Sequence, residues 1–196
     1  LNPAQDYPLA VKESIHQEEK VRIARAAAQL VKSGQTIILD AGTTAAQVAL
    51  QIKKLKLPSL TVITHALNIA ARLADAPNIS IIFIGGIMRP LSTSCVGPHA
   101  EQMMRDLHAD HFFVSVDGLD PDVGLSTPDI LEAQLNTVMI RSAKETTVIS
   151  DASKFGRRSL SVIGGIDSIQ RVITDAHVSP GMVDTLRSHG IEVIIV

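Results

Sequence analysis

The stretch that decides the fold is TIILDAGTT, which occupies residues 36–44. The apolar segment 36–39 has the composition of a buried β-strand, and it runs through a turn of small residues into an amphipathic helix over residues 45–55. This order places Gly42, Thr43 and Thr44 at a helix N-terminus, where the first backbone N–H groups lack partners inside the helix. Those donors and the helix dipole favour an anion, most often a phosphate. An ordinary helix cap is the alternative, because threonine is a common capping residue.

Outward from this stretch, the chain alternates apolar strands with amphipathic helices. Further strands are predicted at residues 60–64, 79–84, 111–116, 146–150, 171–174 and 191–196. Helices are predicted from His16 to a stop at Gly34 and over residues 66–74, 98–107, 129–143 and 180–189. Segments 86–97 and 121–128 are polar and irregular, and we expect loops there. Because the strands are apolar without alternation, they indicate an α/β fold, a mostly parallel sheet covered by helices on both faces.

The composition narrows both the domain organisation and the class of function. The chain has 196 residues, 45% of them hydrophobic and 3% aromatic, and a formal net charge of -2, which argues against this chain alone binding a nucleic-acid backbone. Residues 1–15 contain two prolines and little periodicity, so we expect a linker or arm followed by one domain over 16–196. No apolar run is long enough to span a membrane, and the single cysteine, Cys95, fits a reducing cytoplasm. The first residue is Leu1, from which we expect a fragment of a longer protein.

Four polar clusters each follow a predicted strand. Open α/β sheets bind ligands beyond the carboxyl ends of their strands, so these clusters predict one shared site. Carboxylates accept hydrogen bonds from sugar hydroxyls, and Arg89 or Lys154 could complement a phosphate, which indicates a phosphorylated, polyhydroxylated ligand. The clusters are Asp40, Gly42, Thr43 and Thr44; Thr64 and Asn68; Asp117, Gly118 and Asp120; and Asp151 and Lys154.

Several of these residues also have purely structural interpretations. Asp151 could begin an ordinary turn, and Glu132 could complement the dipole of the helix that it begins. The seven histidines show no metal-binding spacing, since His108 and His111 lack accompanying ligands. Cys95 has no evident base nearby and is expected to be a small buried residue. We therefore predict no metal, no cofactor and no catalytic residue.

With these motifs in order, the chain resembles the effector-sensing C-terminal domain of DeoR-family bacterial transcriptional repressors. The resemblance covers nearly everything from Glu19 to Val196. It departs from the family pattern at His65, where relatives often have asparagine, and at residues 114–116, where many have a glycine-containing run. The matching landmarks are Glu19-Lys20, Ile23-Ala24, Leu39 to Thr44, Thr64, Asn68, Gly85-Gly86, Gly97, Asp117-Gly118, Gly124 to Pro128, Glu132-Ala133 and Asp151 to Phe155.

The resemblance implies a fold similar to ribose-5-phosphate isomerase and a phosphorylated sugar effector that relieves repression. It also implies that an N-terminal winged helix-turn-helix, absent from this chain, binds the operator DNA, in a cytoplasmic homo-oligomer, a dimer or tetramer. The pattern and the resemblance together predict a ligand site made of Asp40, Gly42, Thr43, Thr44, Thr64, Asn68, Gly86, Arg89, Asp117, Gly118, Glu132 and Lys154.

An isomerase-like enzyme is the alternative function. Asp117 or Glu132 could act as a base, and Lys154 could stabilise an enediolate. The segment Asp117-Gly118-Leu119-Asp120 resembles the acidic active-site motif of ribose-5-phosphate isomerase. However, the glycine-rich stretch and lysine that follow this motif in the isomerase are not matched here, because Gly124 is followed by Leu125 and Ser126. A purely structural oligomerisation domain is a third interpretation, but it leaves the four strand-end clusters without a purpose. A ligand-binding sensor is therefore preferred.

Overall fold

A seven-stranded parallel sheet lies at the centre of the computed structural model, which describes residues 5–196. Its order is β12-β11-β9-β6-β1-β2-β3, and every neighbouring pair is parallel. The strands in chain order are β1 Thr36–Leu39, β2 Leu60–Thr64, β3 Ile79–Phe83, β4 Ile87–Arg89, β5 Ser94–Val96, β6 Ala109–Val114, β7 Gly118–Asp120, β8 Gly124–Thr127, β9 Ala143–Ile149, β10 Ser161–Gly164, β11 Arg171–Thr174 and β12 Glu192–Ile195.

Helices cover both faces of this sheet, as the unalternating apolar strands predict. Along β1, Ile37 and Leu39 face one layer and Ile38 faces the other, and all three side chains are fully buried. The first layer holds α2, α3 and α4, and the second holds α5, α6 and α7. The helices are α1 Leu9–Glu13, α2 Gln17–Gln29, α3 Thr43–Leu55, α4 Leu67–Leu73, α5 Pro98–Arg105, α6 Ile130–Ser142 and α7 Pro180–Ser188. The predicted fold class is confirmed.

Two small antiparallel sheets begin after the carboxyl ends of the edge strand β3 and the central strand β6, and they correct the sequence analysis. Segment 86–97, expected to be a loop, forms the hairpin β4–β5. Segment 121–128, also expected to be a loop, contains β8, which pairs with β7 and β10. The polar residues Ser126 and Thr127 on β8 are nevertheless buried. These strands have three or four residues each, which is too short for a hydrophobic period to show.

Element boundaries otherwise follow the sequence closely. Strands β1, β2 and β11 have the predicted bounds. Helix α2 ends at Gln29, well before the predicted stop at Gly34. Strand β9 begins at Ala143 directly after α6, whereas the sequence analysis placed a helix end and a loop there. Helix α3 begins at Thr43, two residues before the prediction, so both threonines belong to the helix and Gly42 is its N-cap.

The segment before residue 16, expected to be a linker or arm, lies against the sheet's carboxyl edge where the structure describes it. Residues 5–15 include the short helix α1, none of whose residues is buried. The backbone N–H of Leu9 donates to the carbonyl of Leu91 at 2.8 Å. We call residues 5–15 the arm; residues 1–4 lie outside the described part of the chain.

Candidate functional site

A cleft of about 160 Å³ opens at the carboxyl ends of the central strands β1, β6 and β9. The residues that follow these strands, Asp40, Ser115 and Asp151, all line it, and the arm forms part of its wall. This is the position that the rule for open α/β sheets predicts. Of the residues predicted from sequence, the structure brings together Asp40, Gly42, Thr43, Thr44, Asp117, Glu132 and Lys154 around the cleft.

The start of helix α3 forms one wall of the cleft. Gly42 is the N-cap residue, and no side chain in the described chain accepts a hydrogen bond at this cap. The threonines that follow it, Thr43 and Thr44, are buried within the first turn. An ordinary threonine cap is therefore not what the structure contains. The first-turn N–H groups and the positive end of the dipole face a site suited to an anion.

Gly42 is required here because another residue approaches it closely. Its φ of -74° is open to any residue. However, a Cβ atom at this position would lie 2.3 Å from Oγ of Ser115 and 2.5 Å from its Cβ. Oγ of Ser115 is buried and has no hydrogen-bond partner among residues 5–196. Ser115 lines the cleft beside the α3 N-terminus, so its hydroxyl is a further donor for a ligand.

Asp40 and His65 form a buried pair under this turn. One oxygen of Asp40 accepts from the backbone N–H of Ser115 at 2.9 Å, and the other lies 3.2 Å from Nε2 of His65. Nδ1 of His65 lies 2.8 Å from the carbonyl oxygen of Cys95, so this nitrogen must carry a proton. Burial disfavours a charged ring, but the hydrogen bond and charge of Asp40 outweigh this effect and raise the pKa of His65. The pair thus favours an imidazolium facing a carboxylate.

Asp117 lies between two ammonium groups at the mouth of the cleft. Nζ of Lys154 and Nζ of Lys12 are each 3.4 Å from the same atom, Oδ1 of Asp117. The hydroxyl of Thr127 is 3.4 Å from the other oxygen of Asp117, and 2.9 Å from Oε1 of Glu132. Two carboxylates and a lysine of the predicted site therefore share one polar network.

Glu132 is held by Arg89, which was expected to complement a phosphate. The guanidinium of Arg89 pairs instead with three carboxylates: Glu132, Asp129 at 3.1 Å and Asp6 of the arm at 2.6 Å. Arg89 lies outside the residues that line the cleft among those described. Burial and the neighbouring charge of Asp40 raise the pKa of Glu132, although Arg89 opposes them. Arg89 acts here by holding the carboxylate of Glu132.

Four other predicted residues also lie outside the cleft lining within the described chain. Thr64 accepts a hydrogen bond from the backbone N–H of Ala66 at 3.2 Å, which fixes the turn after β2. The buried amide atoms of Asn68 have no partner among residues 5–196. Cβ atoms at Gly86 and Gly118 would lie 2.6 Å and 2.5 Å from the carbonyl oxygens of Val96 and Arg157, so both glycines permit close packing of the small sheets.

The sequence analysis did not assign Lys12, Lys20, His65 or Ser115 to the site. Lys20 is 6% exposed, and its Nζ donates to the carbonyls of Lys12 at 2.5 Å and Ile15 at 2.6 Å. Burial lowers the pKa of Lys20, opposed by the charge of Asp151. Two signals could have found three of these residues: Lys20 belongs to a matched family landmark, and His65 and Ser115 stand where the chain departs from the family pattern. The sequence holds no such signal for Lys12.

Two further properties bear on the class of site. In the part of the chain that the structure describes, no three histidine, cysteine, aspartate or glutamate side chains are grouped so that they could hold a metal ion. Within that same part, none of the helices has the length and apolar character that a membrane crossing requires. The cleft's binding groups are instead ammonium, hydroxyl, carboxylate and backbone N–H groups.

Comparison with known proteins shows which protein family this chain is similar to. The model of the DeoR C terminal sensor domain matches residues 15–176. A putative aga operon transcriptional repressor of Escherichia coli O157:H7 is 34% identical over 94% of this chain and 68% of its own length. The glycerol-3-phosphate regulon repressor of Escherichia coli K12 is 30% identical over 89% of this chain and 69% of its own length.

A solved structure confirms the predicted likeness in fold. Ribose 5 phosphate isomerase A from Neisseria gonorrhoeae superposes with a TM-score of 0.53, covering 72% of this chain and 55% of that one. The identity is 14%, so this likeness concerns the fold alone. The family model and the relatives decide the family: this chain belongs to the DeoR-family regulators and contains their C-terminal sensor domain.

Proposed function

We propose that the cleft binds a phosphorylated sugar, and that occupancy of the cleft controls operator binding by an N-terminal winged helix-turn-helix domain of the same protein. One observation carries the proposal. The N-terminus of α3, capped by Gly42 without a side-chain acceptor, meets the unpartnered hydroxyl of Ser115 in a cleft that Lys12 and Lys154 also line. Backbone N–H groups, a hydroxyl and ammonium groups are the donors that a phosphate takes.

The remaining groups of the cleft suit the sugar end of such a ligand. Asp117 and Glu132 face the same cleft as the α3 N-terminus, and carboxylates accept hydrogen bonds from hydroxyl groups. Epimers differ only in where a hydroxyl points. A ligand hydroxyl without an acceptor would cost roughly 1–3 kcal/mol, so these carboxylates are suited to selecting one sugar. Asp40 is less suited to this role, because its two oxygens already accept from Ser115 and His65.

The relatives support a regulator. Both relatives named above are repressors, one of the aga operon and one of the glycerol-3-phosphate regulon. A phosphorylated effector fits these names and the cleft together. Repressors that read repeated half-sites are symmetric, so we also propose a homo-oligomer, a dimer or tetramer.

An isomerase-like activity is the second candidate, because Asp117, Glu132 and Lys154 line one cleft on a fold shared with an isomerase. The geometry favours binding over proton transfer. Asp117 is already paired with two lysines and Glu132 with Arg89, so a proton transfer to either carboxylate would have to displace these partners. Since the two relatives are repressors, a sensor remains the better supported function.

The test is a thermal-shift screen of the 196-residue chain against a panel of sugar phosphates and the matching free sugars. A ligand that binds only the native state raises the melting temperature, and we expect a phosphorylated compound alone to do so. Calorimetric titration of that compound into Thr43→Val and Thr44→Val should show a loss of about tenfold in affinity. Thr185→Ala is the matched control, since its exposed hydroxyl lies on α7, away from the cleft.

Two results would contradict the proposal. If free sugars and their phosphates raised the melting temperature equally, the site would not recognise the phosphate group. If NMR detected product after incubation with the same panel, the protein would be an enzyme and not a sensor.

A further inference from the structure

Several polar contacts attach the arm to the body of the domain beside the cleft. Helix α1 has no buried residue. The arm is held by ion pairs from Asp6 to Arg89 and from Lys12 to Asp117, by one from Glu13 to Arg72 at 3.0 Å, and by Lys20 donating to two arm carbonyls. Because these contacts join charged groups, an anion that binds in the cleft would change the charges that hold the arm.

Lys12 places its charge inside the cleft. Its side chain is 22% exposed, and its ammonium group is 3.2 Å from Asp6 and 3.4 Å from Asp117. Both distances exceed the roughly 2.7–2.9 Å of a strong charged hydrogen bond. Burial would lower the pKa of Lys12, but the carboxylates of Asp117, Asp6 and Glu132 outweigh burial and raise it. Lys12 is therefore a cation with a loosely held partner.

The two lysines nearest to Asp117 share one partner atom. Lys12 and Lys154 share the single oxygen Oδ1 of Asp117, each at 3.4 Å. The carboxylate of Asp6 also pairs with the guanidinium of Arg89 at 2.6 Å, which is shorter than its 3.2 Å distance from the ammonium group of Lys12. Lys20 has only carbonyl oxygens as the hydrogen-bond partners of its ammonium group among the described residues. A ligand anion is the group that would complete this arrangement.

We propose that Lys12 is a direct ligand of the effector's anionic group, so that the bound effector joins the arm to the body of the domain. This inference rests on the proposed function, because it assigns a further residue to the same site. The arm precedes the sensor domain in the chain, on the side where the DNA-binding domain is proposed. A contact between the effector and Lys12 would stabilise the arm in the position that the structure shows relative to any position in which Lys12 lies outside the cleft, which is what a shift in populations requires.

The chain carries its own reporter for this contact. Tyr7 is the single tyrosine and there is no tryptophan, and Tyr7 lies on the arm where it lines the cleft. Tyrosine emission from the 196-residue chain therefore reports the surroundings of the arm alone. The probe is inorganic phosphate, titrated at constant ionic strength with chloride as the balancing anion. Each titration is run on wild type, Lys12→Ala, Lys12→Arg and Lys144→Ala.

Lys144 is the matched control. It pairs with Asp110 at 2.7 Å and is 78% exposed at the amino end of β9, the sheet edge opposite the cleft. We expect the emission of Tyr7 to change saturably with phosphate concentration. The phosphate concentration at the midpoint should be about tenfold higher or more in Lys12→Ala and should be the same as in wild type in Lys144→Ala. Lys12→Arg should stay within about threefold of wild type, because it keeps the charge. Thermal melts check that each variant is folded, and α1 has no buried residue whose loss would unfold the domain.

Equal midpoints for Lys12→Ala and wild type would overturn the inference, as would the absence of any phosphate response. The proposed function is judged separately with sugar phosphates. If a sugar phosphate binds wild type and Lys12→Ala equally, the proposed function is supported and the role of Lys12 is contradicted. If phosphate binds through Lys12 but no sugar phosphate binds, the role of Lys12 is supported and the proposed effector is contradicted.

Discussion

His65 and Asp40 lie 3.2 Å apart with both side chains buried, directly beneath the turn that begins helix α3. The ring also contacts the carbonyl oxygen of Cys95, the residue before Val96 at the end of β5, so the pair links the turn that follows β1 to the small hairpin β4–β5. Because the imidazolium is favoured, its positive charge balances the negative charge of Asp40. We infer that this balance would reduce the repulsion between Asp40 and the anion that is proposed to bind at the α3 N-terminus.

The first prediction follows from the raised pKa of His65. The folded state holds this proton more tightly than the unfolded chain, so the associated stability is fully present below about pH 6.5 and is lost as pH rises through the folded pKa. The free energy of unfolding should fall across this range in wild type, and the fall should be smaller in His65→Asn.

Urea denaturation at several pH values from 6 to 9 measures the effect. His99→Asn is the control, because His99 is exposed on α5 and should leave the wild-type profile in place. Parallel profiles for His65→Asn and wild type would contradict the assignment of the proton to this pair.

The second prediction concerns the contact between Gly42 and Ser115. A Cβ at Gly42 would lie 2.3 Å from the hydroxyl of Ser115, although the backbone there suits alanine. Gly42→Ala should therefore destabilise the domain by about 1–3 kcal/mol through overpacking. Adding Ser115→Gly should restore most of that loss, because it removes the atoms that clash.

A double-mutant cycle from urea denaturation measures this coupling. Gly181→Ala is the control, since nothing lies within 4 Å of its Cβ position in helix α7, and it should be neutral or slightly stabilising. Additive effects of the two site substitutions would show that the close approach does not limit the turn.

Local pattern was enough to predict the sheet and several of the residues that meet at its carboxyl edge. The stretch 36–44 specifies a strand, a turn and a helix from neighbouring residues alone, and parallel pairing then brings Asp117 and Lys154 to the same edge as Gly42. Those inferences need only the rule that parallel strands share a carboxyl edge. They do not depend on which particular side chains meet across the fold.

Contacts made across the fold could not be predicted in this way. The sequence predicts that Arg89 complements a phosphate. In the structure Arg89 lies on β4 and pairs with Glu132, Asp129 and Asp6, all of which are far from Arg89 in the sequence. Residues 5–15 have little periodicity, which predicts a linker or arm, but the ion pairs and hydrogen bonds that attach the arm leave no pattern in the sequence. Strand β8 was read as a loop because its buried residues include Ser126 and Thr127, which a hydrophobic period does not detect.

The third prediction concerns acid stability and His111. Burial lowers the pKa of this residue to about 4. Its Nε2 lies 2.7 Å from Oγ1 of Thr147, and its ring stacks on Phe113 at 4.3 Å. The unfolded chain binds this proton more readily, so stability is present above about pH 6.5 and is lost as pH falls toward 4. The loss amounts to roughly 3 kcal/mol.

Comparing His111→Gln with wild type tests this. The variant should lose less unfolding free energy than wild type between pH 7 and pH 4.5, whatever its stability at pH 7. A steeper loss in the variant would mean that other groups dominate acid unfolding.

The last prediction concerns Asp117, whose oxygen Oδ1 separates the ammonium groups of Lys12 and Lys154. The carboxylate has opposite effects on the two ends of a sugar phosphate. It competes with the phosphate for the two lysines, and it accepts hydrogen bonds from a sugar hydroxyl.

Asp117→Asn keeps the shape while removing the charge. Its affinity for inorganic phosphate should rise about fivefold, since two ammonium groups lose their competing anion. Its preference between epimers such as glucose 6-phosphate and mannose 6-phosphate should fall, because an amide offers one acceptor oxygen in place of two. Calorimetry with the three compounds measures both effects, and Asp122→Asn, at a residue with an 89% exposed side chain that lies outside the cleft lining, is the control. Equal weakening of all three compounds would show that Asp117 supports the fold of the cleft and does not choose its ligand.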